Sequence, residues 1–237
     1  MRKLQGYMPL IVLVIILIAW NFASGQYSDF RSWIVTELEC LPGIILGLAF
    51  HEFGHAVVSD RLGDPTPRRE GRVSLNPLRH IDPIGFLCLI FAGFGWGVPV
   101  EIDPRYYKHP RRDEFLVSIA GVVMNLLLAI LFTLILKLLL VTAPTMFYTE
   151  TGGVVANVIT DVIYINVILM IFNLLPVPPL DGFGILTQIF DLRKYSWYAP
   201  LYQNGFAILM VLLLFNVVDR LLTPAAQWVL GLLQMML

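Results

Sequence analysis

Residues 51–55 read His51-Glu52-Phe53-Gly54-His55, a H-E-x-x-H pattern inside an apolar run. On a helix, residues four apart share a face, with Cβ atoms about 5–6 Å apart. His51 and His55 can therefore bind one Zn²⁺, and Glu52 stands where it could take a proton from a metal-bound water. Ligand type also admits Fe²⁺ or Co²⁺. Three ionisable residues at membrane depth are costly, so they call for a functional reason. A catalytic zinc site usually has a third protein ligand and keeps one position open. The candidate is Asp181 in Asn173-Leu174-Leu175-Pro176-Val177-Pro178-Pro179-Leu180-Asp181-Gly182, where prolines break a helix and leave a carboxylate at its edge. Seen alone, Asp181 would read as a solvated turn residue. Its topological agreement with the histidine pair reverses that reading.

The elements that position these groups must be membrane helices. The chain has 237 residues, 57% of them hydrophobic and 14% charged, whereas a soluble domain has about 25% charged residues. Expected spans are 8–23, 41–59, 114–140, 154–176 and 200–222, each about long enough to cross roughly 30 Å of hydrocarbon. The first is expected to remain uncleaved. Segment 83–100 is apolar but punctuated by glycine and proline, so it is expected as a re-entrant loop or membrane-dipping hairpin. Segment 224–237 is expected along the interface, or as a short sixth crossing. The fold class is thus an all-α polytopic membrane protein with about five to six transmembrane helices. It forms one domain over 1–237, with a core over 41–190 and peripheral spans 8–23 and 200–222.

With these spans, Arg31, Lys137 and Arg220 fall on one side, and the other 13 of the 16 lysines and arginines on the opposite side. That side is cytoplasmic by the positive-inside rule. The protein is expected in the cell membrane, with its N-terminus cytoplasmic and His51 in the cytoplasm-facing half of its span. A water-admitting cavity is expected beneath loops 60–80 and 100–113. The net charge of −1 excludes a generally basic nucleic-acid binder. Cys40 and Cys88 lie far apart in the sequence and form no C-x-x-C, so neither a disulfide framework nor a cysteine zinc site follows from them. His80 and His109 lack metal-like spacing and are expected as solvated surface. Arg68-Arg69 and Arg111-Arg112 are expected to set orientation and touch anionic headgroups. Gly43-x-x-x-Gly47 is expected to allow close helix packing.

H-E-x-x-H on one membrane helix, followed by N-x-x-P-x-P-x-L-D-G at the end of a later one, resembles the site-2 protease family of intramembrane zinc metalloproteases. Leu62-Gly63-Asp64-Pro65, Gly71-Arg72-Val73-Ser74-Leu75-Asn76-Pro77-Leu78 and His80-Ile81-Asp82-Pro83-Ile84-Gly85 resemble its compact bacterial and archaeal branch without a PDZ domain. The similarity runs from about residue 41 to 190. It implies Zn²⁺ held by His51, His55 and Asp181, with Glu52 catalytic. The partner it implies is a membrane-protein substrate with a transmembrane segment, set in the lipid bilayer. Asn173 matches an asparagine thought to hold substrate backbone. Ala120-Gly121-Val122-Val123-Met124-Asn125 resembles a family A-G-P-x-x-N motif, with Val122 in place of proline, and brings Asn125 forward as a second substrate-binding candidate. Gly121 and Asn125 read equally well as a packing face. By the same resemblance, 83–100 would hold an unwound substrate by strand addition; a packing plug is the other reading. Two rivals use the same residues: a catalytically silent membrane binding protein, and a metal- or proton-coupled transporter.

Overall fold

The computed structural model describes residues 29–92 and 96–237. Helix α1 spans Phe30–Arg61. A capping box starts it: Ser32 N–H donates to Asp29 Oδ1 at 2.7 Å, and Asp29 N–H donates to Ser32 Oγ at 3.3 Å. A short turn of helix, α2 (Thr66–Arg69), and α3 (Pro83–Ala92) follow. Helix α4 spans Pro110–Thr142 and α5 spans Glu150–Asn173. Thr149 opens α5 by accepting from Gly152 N–H. Helices α1, α4 and α5 pack on one another as the central unit.

Glycines set their separation. A Cβ at Gly43 would lie 3.1 Å from Asp161 O, and one at Gly47 would lie 3.3 Å from Asn166 Oδ1. The glycine pair therefore brings α1 against α5 within one chain, as small residues do between membrane helices. Gly54 does the same against α4, where a Cβ would lie 2.9 Å from Ala120 O.

Among the described residues three helices, α1, α4 and α5, are long and apolar enough to cross a membrane. The chain is an all-α integral membrane protein. The expected span 8–23 lies outside the described residues. The expected crossing over 200–222 is not one straight helix. After α6 (Asp181–Phe190) and the short α7 (Tyr198–Gln203), α8 covers Gly205–Leu214 and α9 covers Val217–Gln234. The last two meet at 78° and would make a fourth, broken span. Asn216 adopts the left-handed conformation at the break (φ 54°), one of the few non-glycine residues that does so readily. Residues 224–234 belong to α9, which begins at Val217. Val218, Leu222 and Ala226 of α9 share the apolar core with Ile159, Ile163 and Val167 of α5.

Within segment 83–100, the described residues are helix α3 and the stretch from Trp96 onward. Asp82 caps α3 through the amides of Ile84 and Gly85. The chain then comes back extended, with an antiparallel bridge between Ile81 and Gly97. Gly85 is required there, because a Cβ would lie 2.1 Å from Trp96 O.

Candidate metal centre

His51 and His55 occupy successive turns of α1 and face α4. The His55 Nδ1–H donates to Val117 O at 2.7 Å. His51 Nδ1 meets Asn125 Oδ1 at 2.7 Å. The Asn125 amide is oriented by its own donations to Gly47 O (3.1 Å) and Asn166 Oδ1 (2.9 Å), so its oxygen must accept from His51. Asn166 in turn donates to Val162 O. Both rings thus carry their hydrogen on Nδ1, which leaves Nε2 as a bare lone pair in the neutral imidazole.

These two Nε2 atoms lie 3.0 Å apart. Asp181 Oδ2 lies 3.1 Å from the first and 3.3 Å from the second. Asp181 Oδ2 is buried and has no hydrogen-bond donor. Three lone pairs converging with no proton between them would repel, and a buried acceptor without a partner is costly. A cation satisfies all three at once, and two imidazoles with a carboxylate suit zinc. His51, His55 and Asp181 are also the group of three that could hold one ion among the described residues. Gly121 keeps the space clear. A Cβ there would lie 2.5 Å from His55 Nε2 and 2.7 Å from His51 Nε2.

Asp181 reaches this point because the chain after α5 turns sharply and starts α6 at once. Gly182 allows the turn, since a Cβ would lie 2.2 Å from Leu174 O. The far end of α6 is clamped to the start of α4. Arg111 donates to the carbonyls of Gln188 and Ile189. Gln188 donates to the buried Glu114 at 2.8 Å, and Arg193 also pairs with Glu114. The Glu114 carboxylate raises the Arg193 pKa above its ordinary value. Helix α4 therefore aligns both histidines from one stretch and anchors the aspartate's helix from another.

Glu52 faces the returning segment. Its Oε2 accepts from Val100 N–H at 3.1 Å, while Val98 N–H donates to His80 O at 2.7 Å. The segment's other end is tied by Asp64, which accepts from Asp103 N–H, Thr66 N–H and Ser59 Oγ. Burial raises the Asp64 pKa, and these hydrogen bonds outweigh it, leaving the group below its ordinary value. Ser59 also bonds Tyr107, whose phenol is pushed up to about 12, chiefly by burial. A cavity of about 430 Å³ reaches Asp181 from between Pro104 and α6. Another of about 690 Å³ lies between Arg72 and Val98.

Asn125 is fully buried and both its amide hydrogens are engaged. Two expectations need correction. His80 is not solvated surface: it is fully buried, with Nε2 2.7 Å from Ser74 O, and its backbone carries the returning segment. His109 is exposed as expected. Arg111 clamps α6 through two carbonyls, a role beyond setting orientation. Asn173 is half-buried and donates to Leu169 O at 2.9 Å. Asn166 escaped notice, although a polar residue in an apolar span was itself a signal.

Residues 148–216 match Peptidase family M50. The Bacillus subtilis protein YwhC, named for an inferred zinc metalloprotease activity, is 36% identical over 169 residues, which cover 71% of this chain and 77% of that one. Rip2 of Mycolicibacterium smegmatis, named in the same way, is 30% identical over 203 residues, covering 83% of this chain and 74% of its own. Rip2 of Mycobacterium tuberculosis is 30% identical over 180 residues, covering 73% and 66%. No solved structure matches.

Proposed function

Because this chain belongs to peptidase family M50, we propose that it is a zinc endopeptidase that cuts membrane proteins within or near their transmembrane segments. The observation that carries the reading is the convergence of His51 Nε2, His55 Nε2 and the donorless Asp181 Oδ2 on one point. A zinc ion bound there supplies Lewis acidity to a water and to the scissile carbonyl.

The protein's own groups do the rest. Glu52 adjoins His51 in sequence and carries the proton from the attacking water to the leaving amine. Val100 N–H holds its carboxylate in place until substrate arrives. A substrate helix hides its carbonyls in its own hydrogen bonds and must unwind. The extended stretch after Gly97 receives the unwound segment by strand addition. Asn173 has a second amide hydrogen and its carbonyl oxygen to offer the substrate backbone. Asn125 and Val117 O keep both rings in the tautomer that leaves Nε2 available.

The domain is a single unit over 1–237 with its core at 41–190. It lies in the cell membrane with its N-terminus and the site toward the cytoplasm. The placement of 13 of 16 basic residues supports that orientation.

The test is cleavage of a reporter carrying a transmembrane segment by the purified protein in detergent. Cleavage should stop on chelation, return with Zn²⁺, and fall about 10²–10⁴-fold in Glu52→Gln with metal content unchanged. Metal uptake into vesicles by a protein that cleaves no reporter would overturn the reading in favour of transport.

A further inference from the structure

The cavity that opens at Asp181 has a chemistry of its own. One wall is a stack of aromatic rings. Phe183 and Tyr198 lie 5.7 Å apart at 14°, and Tyr198 and Tyr202 lie 5.9 Å apart at 19°. Ser118 of α4 and Gly184 of α6 meet at its base, where a Cβ on Gly184 would lie 2.9 Å from Ser118 Oγ. Ile102, on the returning segment, also lines it. The inner polar end is closed on itself, because the Glu114 carboxylate is already paired with Arg193 and Gln188. A carboxylate entering it would find Arg193 already engaged by Glu114, and burying an unpaired charge is costly. Its volume of about 430 Å³ is within the usual range for ligand pockets, about 300–1,000 Å³.

We infer that this cavity is a specificity subsite, taking a large apolar or aromatic side chain of the substrate beside the scissile bond. The inference rests on the peptidase reading above. A chain lying along the returning segment passes Ile102 and the ring stack. With its carbonyl at the His51–Asp181 centre, a neighbouring side chain points into the cavity they line. The small side chain at Ser118 leaves room for it, and Gly184 lets α6 pack close against α4 beside it. Exposed apolar surface marks an interaction site, and Tyr202 is 56% exposed although it stacks on Tyr198.

The experiment uses a panel of transmembrane reporters that differ only by Ala, Leu, Phe or Glu on either side of the mapped cleavage site. It is run on the full chain, Ser118→Leu and Tyr202→Ala. The wild-type protein should favour Phe or Leu over Ala by at least about tenfold in kcat/KM at one position, and reject Glu there. Ser118→Leu fills the base and should cut the Phe-to-Ala ratio by about tenfold, while the Ala reporter is still cleaved. Tyr202→Ala removes the outer ring at an exposed position and should lower the ratio several-fold without loss of protein. The inference is overturned if the wild type cleaves the panel with no side-chain preference at either position. It is also overturned if Tyr202→Ala, the variant least able to disturb folding, keeps the full preference. A wild type that cleaves no reporter at all overturns the peptidase reading itself, and the subsite with it.

Discussion

The two sides of the site are built differently. On the metal side every orienting group is fixed by helix packing: Asn125, Gly121 and Val117 all lie on α4, and Gly47 and Gly54 bring α1 close to its neighbours. On the other side Glu52 faces a segment held mainly through its backbone, by the Ile81–Gly97 bridge, the Val98–His80 bond and the Asp64 tie. Helix packing tolerates little displacement, whereas a segment on a few hydrogen bonds opens locally at low cost. The difference assigns the tasks. Under the proposed function, the rigid half would hold the ion and the loosely tied half would yield to an incoming chain.

Substitutions on each side should therefore fail in different ways. Among substitutions that leave the reacting groups in place, the largest effect belongs to Gly121→Ala, whose methyl would press on both Nε2 atoms. Cleavage should fall about 100-fold, with a matching loss of bound zinc by elemental analysis. Retained metal in that variant would break the distinction. Asn125→Leu frees the His51 ring and should weaken zinc binding about 10- to 100-fold in a chelator competition.

Gly97→Ala acts on the yielding half, where a Cβ would lie 2.9 Å from His80 O. Losing one bridge bond should raise KM about 5- to 10-fold and leave zinc content at the wild-type level. The smallest effect concerns acid. Asp64 has a folded pKa below its unfolded value of about 3.9. Its contribution is complete above that value and is lost as pH falls through the depressed folded one. Thermal melts should show wild type losing stability below about pH 4, and Asp64→Asn, weaker at neutral pH, showing a shallower decline.

The metal side was largely legible in the sequence because its ligands come in short motifs on helices whose apolar runs announce them. Asp181 was legible through the prolines that end a span at the right edge. The looser side was not. His80 sits among charged loop residues, and nothing in its spacing shows that a bridge buries it. Gly121 read as packing because the nearness of two imidazoles to its Cα depends on the α1–α4 separation. Asn125 carried a family likeness but no sign of which way its amide turns. The bend at Asn216 lay inside a run that hydropathy alone counts as one crossing, although three polar residues, Asn216, Asp219 and Arg220, lie close together in it.

Zinc-edge X-ray absorption on the purified protein and on Asp181→Ala probes the centre most directly. The wild-type spectrum should fit nitrogen and oxygen neighbours at about 2.0–2.2 Å, with the outer-shell scattering of two imidazoles. Asp181→Ala should lose an oxygen neighbour or the metal altogether. Sulfur in the wild-type shell, a single imidazole, or a spectrum unchanged without Asp181 would contradict the centre described.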